Sequence, residues 1–266
     1  MADLYTIENL HLALPDMTRK PVFGAAPRVE ILKGLSFTLA KGSVLGIVGG
    51  SGSGKSTLGR AMVRLLEPTG GTVQFSGHDI THMTEAALRP LRRRFQMIFQ
   101  DPLSSLNPRH RVQTLIAEPL RLHGFTDIQA RVLRALDHVG LSRSLAARYP
   151  HELSGGQRQR VGIARAIAME PEFILADEIV SGLDASSQAQ VLNLLEGLVL
   201  DLGLTLAFIS HDLSVIRHLC ARVIVLHQGR IVEDRDTAAL FAAPEADYTR
   251  ELLAAIPLPD LDQVWT

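Results

Sequence analysis

Alternation of apolar and polar residues predicts strands in the first part of the chain. Residues 4–14 alternate clearly and residues 31–39 alternate less regularly, as is typical of half-buried strands. The segment between them, residues 15–27, contains prolines and a glycine and predicts a loop. Residues 72–75 precede the pair Ser76-Gly77, which indicates a further strand and a turn.

Farther along, short apolar runs alternate with segments of helical spacing. The apolar runs are residues 44–48, 173–177 and 204–210. Residues 57–66 have helical spacing and stop at a proline- and glycine-containing breaker, residues 68–71. Each of the two later runs follows a helical segment, and this alternation predicts a parallel sheet with crossover helices.

Between residues 85 and 148 the pattern changes. Leucine, alanine and arginine dominate this stretch, and residues 130–139 have helical spacing. We therefore expect a helical insert within an α/β frame. After the last apolar run, residues 222–232 predict a hairpin with its turn at Gln228-Gly229.

Composition and charge narrow the class of protein. With 266 residues, 46% hydrophobic and 21% charged, the chain has the make-up of one or two globular domains. The 27 basic and 28 acidic side chains nearly cancel, which argues against a uniformly basic nucleic-acid-binding surface. A single cysteine, Cys220, argues against a disulfide framework or an iron–sulfur cluster. Neither a signal peptide nor a run of about 18 apolar residues is evident, so we expect an intracellular chain that does not span a membrane.

The sharpest chemical signal is a glycine-rich loop between a predicted strand and a predicted helix. It reads Gly49-Gly50-Ser51-Gly52-Ser53-Gly54-Lys55-Ser56 and matches the pattern G-x-x-x-x-G-K-[ST]. Glycines let backbone N–H groups curl around a phosphate, and the following helix directs its positive end at the anion. Lys55 is placed to reach the β- and γ-phosphates, and the Ser56 hydroxyl is placed to bind Mg²⁺. We expect a nucleoside triphosphate site that extends to Thr57.

Two acids and a histidine follow the later apolar runs. Asp177 and Glu178 end one run, where an aspartate of a phosphate-loop enzyme holds Mg²⁺ and a neighbouring glutamate polarises the attacking water. His211 follows the next run, which places it beside the γ-phosphate if both strands lie in one sheet. The alternative interpretation is that the two acids only begin a solvated loop. The phosphate loop upstream makes this alternative the weaker one.

Residues 153–157, Leu-Ser-Gly-Gly-Gln, resemble the signature motif of the ATP-binding cassette (ABC) ATPases. Ser154, together with the N–H groups of Gly155, Gly156 and Gln157 at a helix start, forms a second anion site. The resemblance implies a head-to-tail dimer, in which the signature of one subunit closes over the ATP held by the phosphate loop of the other.

The other elements of that family match in order, and the resemblance covers residues 4 to 258. Gln100 resembles the Q-loop glutamine, and Asp184 ends a Ser-Gly-Leu-Asp run that resembles the D-loop at the dimer interface. Glu178 is then the catalytic base and His211 the switch histidine. The cofactors implied are ATP and Mg²⁺, with the metal ion on Ser56, on Gln100 and, through water, on Asp177.

The fold class implied is α/β, a P-loop NTPase core of the ABC ATPase type. An N-terminal antiparallel β subdomain and an inserted α-helical subdomain accompany this core. The expected boundaries are 1–87 and 158–240 for the core with the β subdomain, 88–157 for the helical subdomain, and 241–266 for a short C-terminal tail.

A narrower resemblance is to the ATPases of oligopeptide, dipeptide and nickel importers. It rests on the extended Q-loop at residues 99–109, on 149–152, on 248–250 and on 256–259. Residues 56–60 and 92–94 are similar to the F-type subunit of these importers. The partners implied are a second, D-type ATPase subunit, two transmembrane permease subunits and, indirectly, an extracytoplasmic solute-binding protein, with no nucleic acid. The chain is then expected peripherally on the cytoplasmic face of the cell membrane.

Three positions depart from the family pattern. Ile179 stands where proline usually follows the catalytic acid, and Gly50 stands where this branch commonly has glutamate. An aromatic residue usually stacks on adenine; the best-aligned position here holds Leu14, which has no aromatic face, and Phe23 is the alternative.

The main alternative function is a soluble ABC-type ATPase that acts on nucleic acid or ribosomes. Ser154 comes only 54 positions after Gln100, which leaves no room for the long coiled coil of such proteins. A small-molecule kinase is weaker because it would lack the signature motif. An exporter ATPase is weaker because such cassettes are often fused to membrane spans.

Overall fold

The computed structural model of the chain describes residues 3–19, 24–100 and 105–255. Four strands form an antiparallel sheet: β1 (Asp3–Pro15), β2 (Arg28–Ala40), β4 (Gly70–Phe75) and β5 (His78–Asp79). Their order is β2-β1-β4-β5. The three strands predicted in the first part of the chain, two from alternation and one from the turn at Ser76-Gly77, are therefore present.

A six-stranded sheet lies at the centre of the molecule. Its strands are β3 (Val44–Val48), β6 (Phe95–Ile98), β7 (Phe173–Asp177), β8 (Thr205–Ile209), β9 (Arg222–His227) and β10 (Arg230–Asp236). They lie in the order β10-β9-β3-β8-β7-β6, and every pairing is parallel except that of β9 with β10. The predicted parallel sheet and hairpin are both observed, and the carboxyl ends of β3, β8, β7 and β6 meet at one edge.

Helices connect these strands and cover the central sheet. They are α1 (Lys55–Met62), α2 (Glu85–Arg92), α3 (Val112–Leu122), α4 (Ile128–His138), α5 (Gly155–Ile167), α6 (Ala185–Leu202), α7 (Leu213–Leu219), α8 (Thr237–Ala242) and α9 (Asp247–Ala254). Within the ranges that the structure describes, none of the helices is long and apolar enough to cross a membrane. Cys220 is a buried free cysteine, and burial raises the pKa of its thiol to about 12.

Alternating residues of the central strands face two separate apolar cores. In β7, Phe173 and Leu175 pack with α1 and the antiparallel sheet, whereas Ile174 and Ala176 pack with the helices on the other side. Helix α1 lies close to the sheet because Gly59 has no side chain: a Cβ there would stand 2.8 Å from Leu175. This close packing fixes the position of the loop that precedes α1.

The helical insert differs in one respect from the prediction. The sequence predicts a helical subdomain over residues 88–157, but β6 lies inside this range as the edge strand of the central sheet. Its four residues are too few to show a strand pattern, and parallel pairing with β7 holds them in place.

Helix α1 also ends at Met62 instead of reaching residue 66, because Arg64 adopts a left-handed backbone with φ of 52°.

Candidate active site

The glycine-rich loop joins the carboxyl end of β3 to α1. The Nζ atom of Lys55 folds back onto this loop and donates to the carbonyl oxygens of Gly49 (2.7 Å) and Gly50 (3.0 Å). Gly49 and Gly54 have φ angles of 149° and 106°, and a Cβ on Gly49 would stand 2.2 Å from the carbonyl oxygen of Leu226. The backbone therefore requires glycine at both positions.

The interior of the loop is suited to a polar ligand. Burial lowers the pKa of the Lys55 amino group, although Glu178 and Asp177 act in the opposite direction. The hydroxyl oxygen of Ser53 is buried and has no hydrogen-bond partner in the described ranges of the chain. A phosphate group that enters the loop would give the lysine a charged acceptor in place of two neutral carbonyl oxygens.

Ser56 and Asp177 bring two oxygen ligands together. The Ser56 hydroxyl donates to Oδ1 of Asp177 at 2.9 Å. Asp177 is 5% exposed, and burial raises the pKa of its carboxyl group against the lowering effect of the Ser56 hydrogen bond. Hydroxyl and carboxylate oxygens suit Mg²⁺, which binds in phosphate sites through few protein ligands. The pair therefore fits the metal position that the sequence predicts.

The ends of β6, β7 and β8 bring Gln100, Glu178 and His211 together. The Gln100 side-chain amide donates to Oε2 of Glu178 at 3.1 Å, and Nδ1 of His211 lies 3.8 Å from the same oxygen. Glu178 has a φ of 50°, which is uncommon for a residue with a side chain, and its N–H donates to the Ile209 carbonyl at 3.0 Å. Such backbone strain is concentrated at functional sites.

The signature residues form the start of α5. Ser154 accepts from the N–H of Gln157 at 3.3 Å, and the Gln157 side chain accepts from the N–H of Ser154 at 3.0 Å. These two bonds form a capping box. In the described part of the chain, no hydrogen bond or ion pair joins the signature residues to the phosphate loop. The structure thus holds two separate candidate anion sites.

Asp184 lies near the signature helix. Its carboxylate caps α6 by accepting from the N–H of Ser187 (2.9 Å) and from the Ser187 hydroxyl (2.8 Å). These hydrogen bonds lower the pKa of the Asp184 carboxyl group. A Cβ on Gly156 would stand 3.7 Å from the same hydroxyl, so the D-loop and the signature share one surface.

The residues that depart from the family pattern lie in different parts of the structure. Ile179 is buried in the apolar core. Leu14 lies in β1, partly buried against the core beneath the antiparallel sheet. Phe23 lies outside the described residues, as do residues 256–259 of the narrower resemblance and positions 101–104 of its extended Q-loop. Gly50 contacts the hydroxyl of Tyr248, which belongs to the 248–250 segment of the narrower resemblance and to which the sequence assigns no site role.

The chain is similar to known proteins over most of its length. A family model described as ABC transporter matches residues 32–181, more than half of the chain. The chain is 51% identical over 237 residues to a Brucella ovis protein named "Putative peptide import ATP-binding protein", covering 88% of this chain and 75% of that protein. It is 50% identical over 234 residues to the oligopeptide transport ATP-binding protein AppF of Bacillus subtilis, covering 86% and 71%.

Solved structures with the same fold are ATP-binding cassettes. The dimeric, post-hydrolysis structure of the cassette MJ0796, bound to ADP and Pi, has a TM-score of 0.76 and 28% identity, covering 88% of this chain and 98% of that one. The structure of cbiO1 from Clostridium perfringens, part of the ABC transporter complex cbiONQ, has a TM-score of 0.79 and 27% identity, covering 97% of each. The predicted fold class is confirmed, and the chain belongs to the ABC transporter family as an ATPase related to the ATP-binding proteins of peptide importers.

Proposed function

We propose that this chain powers the uptake of peptides or similar small solutes as the ATP-hydrolysing subunit of an importer. Its relatives are named for peptide import and oligopeptide transport, and the narrow sequence resemblance points to the same branch. The observation that carries the catalytic assignment is the convergence of Gln100, Glu178 and His211 at the edge of the sheet that holds the phosphate loop.

ATP binds with its phosphates on the N–H groups of the loop and on the Lys55 ammonium. Mg²⁺, when bound on Ser56, Gln100 and, through water, Asp177, neutralises charge on the phosphates. Glu178 accepts a hydrogen bond and then the proton of the attacking water, while His211 stabilises the γ-phosphate as it leaves. The Gln100–Glu178 hydrogen bond orients the carboxylate for this step.

A second ATPase subunit completes the site. The N–H groups of Gly155 and Gly156, with the Ser154 hydroxyl, face the γ-phosphate held by the partner, and Asp184 lies at the same interface. The exposure of Ser154 and Gly155 in the single chain supports this role, as does the dimeric form of MJ0796. The narrow resemblance makes the partner a D-type subunit.

A groove beside the Q-loop is the proposed docking surface for a permease subunit. Its volume is about 510 Å³, and its lining includes Leu65, Phe95, Met97 and Phe99 together with Arg165. Leu65 and Phe99 are 50% and 41% exposed, which is high for large apolar side chains. A cytoplasmic helix of a permease fits such a groove through its apolar face. Phe99 lines the groove and directly precedes Gln100. A movement of the permease helix in the groove would therefore shift the catalytic glutamine.

Purification from membranes tests this proposal. The tagged chain is expected on the cytoplasmic face of the membrane and, after gentle solubilisation, to retain a second ATPase and two permease subunits, identified by mass spectrometry. A co-purifying solute-binding protein would then reveal the cargo.

The variant Leu65→Arg is expected to lose the permease subunits. The control Leu200→Arg, on a 77% exposed side chain of α6, is expected to retain them. Recovery with ribosomes or nucleic acid instead would favour the soluble alternative.

Replacing Asp177 with asparagine is expected to stabilise the fold and impair the reaction. Because burial raises the pKa of this carboxyl group, its ionised form is disfavoured in the folded state at neutral pH. The melting temperature of the variant is therefore expected to exceed that of the wild type at pH 8, with the gain shrinking as the pH falls and the wild-type carboxylate protonates. Mg²⁺-dependent hydrolysis is expected to fall about 10–100-fold, as for loss of an outer-shell metal partner. A less stable variant with unchanged hydrolysis would contradict the assignment.

A further inference from the structure

Tyr248, in the C-terminal helix α9, contacts the phosphate loop from outside. Its hydroxyl oxygen accepts a hydrogen bond from the backbone N–H of Gly50 at 2.7 Å. Its ring packs on His227 at the end of β9, with ring centroids 3.8 Å apart. Gly50 and Tyr248 are 198 positions apart in the sequence, so the tertiary fold alone brings them together.

The start of α9 is fixed by a buried acid. Glu233 of β10 is 6% exposed, and its carboxylate accepts from the N–H groups of Glu245 (3.0 Å) and Ala246 (3.1 Å). Arg235 adds an ion pair with Glu245 at 3.1 Å. Hydrogen bonds to a buried carboxylate are among the stronger ones in proteins. They determine where the helix begins and therefore where the Tyr248 hydroxyl lies.

Side chains hold both peptide groups of Gly50. Tyr248 binds the N–H, and the Lys55 ammonium binds the carbonyl at 3.0 Å. A phosphate in the loop would offer the lysine a charged acceptor in place of that carbonyl oxygen. The Tyr248 hydrogen bond does not involve the lysine.

We infer that Tyr248 is a positioning residue of the ATP site. Its hydroxyl keeps the first half of the phosphate loop in its binding conformation, independently of Lys55. The inference rests on the proposed role of this loop in binding ATP. A loop that is already ordered loses less conformational freedom when it binds a ligand. We therefore expect Tyr248 to increase the affinity of the site for ATP.

Glycine at position 50 is matched to this tyrosine. A Cβ on Gly50 would stand 2.8 Å from the Tyr248 hydroxyl, closer than side-chain carbon atoms normally approach. A side chain at position 50 would therefore have to displace the Tyr248 hydroxyl from its hydrogen bond.

The variant Tyr248→Phe removes the hydroxyl and keeps the ring on His227. We expect its ATP affinity, measured on the purified full chain with a fluorescent ATP analogue, to fall about three- to tenfold, as for the loss of one hydrogen bond. The KM for ATP is expected to rise by a similar factor, with kcat within about twofold of wild type. The control Tyr149→Phe removes a hydroxyl that accepts from Arg111 at 3.4 Å, and its ATP affinity is expected to stay unchanged.

A double-mutant cycle distinguishes a positioning role of Tyr248 from a general loss of structure in the variants. Gly50→Ala is expected to weaken ATP binding in the wild type about as much as Tyr248→Phe does, and much less in the Tyr248→Phe background, because the hydroxyl that meets the new methyl group is gone. Equal weakening in both backgrounds would overturn the inference. So would unchanged affinity in Tyr248→Phe, and that result would leave the ATP site intact. A wild-type chain that binds no ATP would overturn the ATP site and the inference together.

Discussion

Replacing Glu178 with glutamine is expected to slow single-turnover hydrolysis of ATP by about 10²–10⁴-fold, the usual effect of losing a general base. Glutamine has nearly the same shape and can still accept the hydrogen bond that Gln100 donates at 3.1 Å. It cannot take the proton of the attacking water. ATP affinity is therefore expected to stay within about threefold of wild type, and the variant is expected to accumulate with ATP bound.

The control for this variant is Glu170→Gln. Glu170 has a φ of 51°, close to the 50° of Glu178, so the control also places glutamine at a residue with positive φ. Its carboxylate pairs with Arg131 and Arg134 of α4 in the helical subdomain, and its hydrolysis rate is expected to be unchanged. Single-turnover measurement is required because a partner subunit with its own active site masks the loss at steady state. A rate for Glu178→Gln within threefold of wild type would contradict the base assignment.

The parts of the site that the sequence predicts are those made by local structure. The phosphate loop needs only a strand before it and a helix after it, and β3 and α1 supply both. Asp177 and Glu178 lie at the end of an apolar run that can be read directly. The meeting of Glu178 with His211 follows from the rule that carboxyl ends of neighbouring parallel strands share an edge.

Other parts depend on contacts between distant residues. Strand β6 has four residues and is fixed by its pairing with β7, so its pattern cannot separate it from the helical residues around it. The end of α1 depends on Arg64, whose side chain is buried and donates to the carbonyl of Ile80. Tyr248 carries no sign in its own neighbourhood that its hydroxyl meets Gly50. Such features become visible only when the fold is known.

Gly156 gives the sharpest test of the second anion site. A Cβ on this residue would stand 3.7 Å from the nearest atom outside the helix, which is ordinary contact, so the packing of the single chain does not require glycine here. In the proposed dimer the same position faces the γ-phosphate held by the partner subunit. A carboxylate introduced there would place like charges together, at a cost of several kcal/mol.

We therefore expect Gly156→Asp to fold normally and to bind ATP at its own phosphate loop with unchanged affinity. ATP-dependent association with the partner subunit, followed by analytical ultracentrifugation, is expected to be lost, and hydrolysis is expected to fall about 10²–10³-fold, since each 1.4 kcal/mol is a factor of ten. Gly197→Asp is the matched control: this glycine of α6 also has open space around its Cβ position, and its variant is expected to associate and hydrolyse as the wild type does. Normal ATP-dependent association together with normal hydrolysis by Gly156→Asp would contradict the placement of the signature over a partner's ATP.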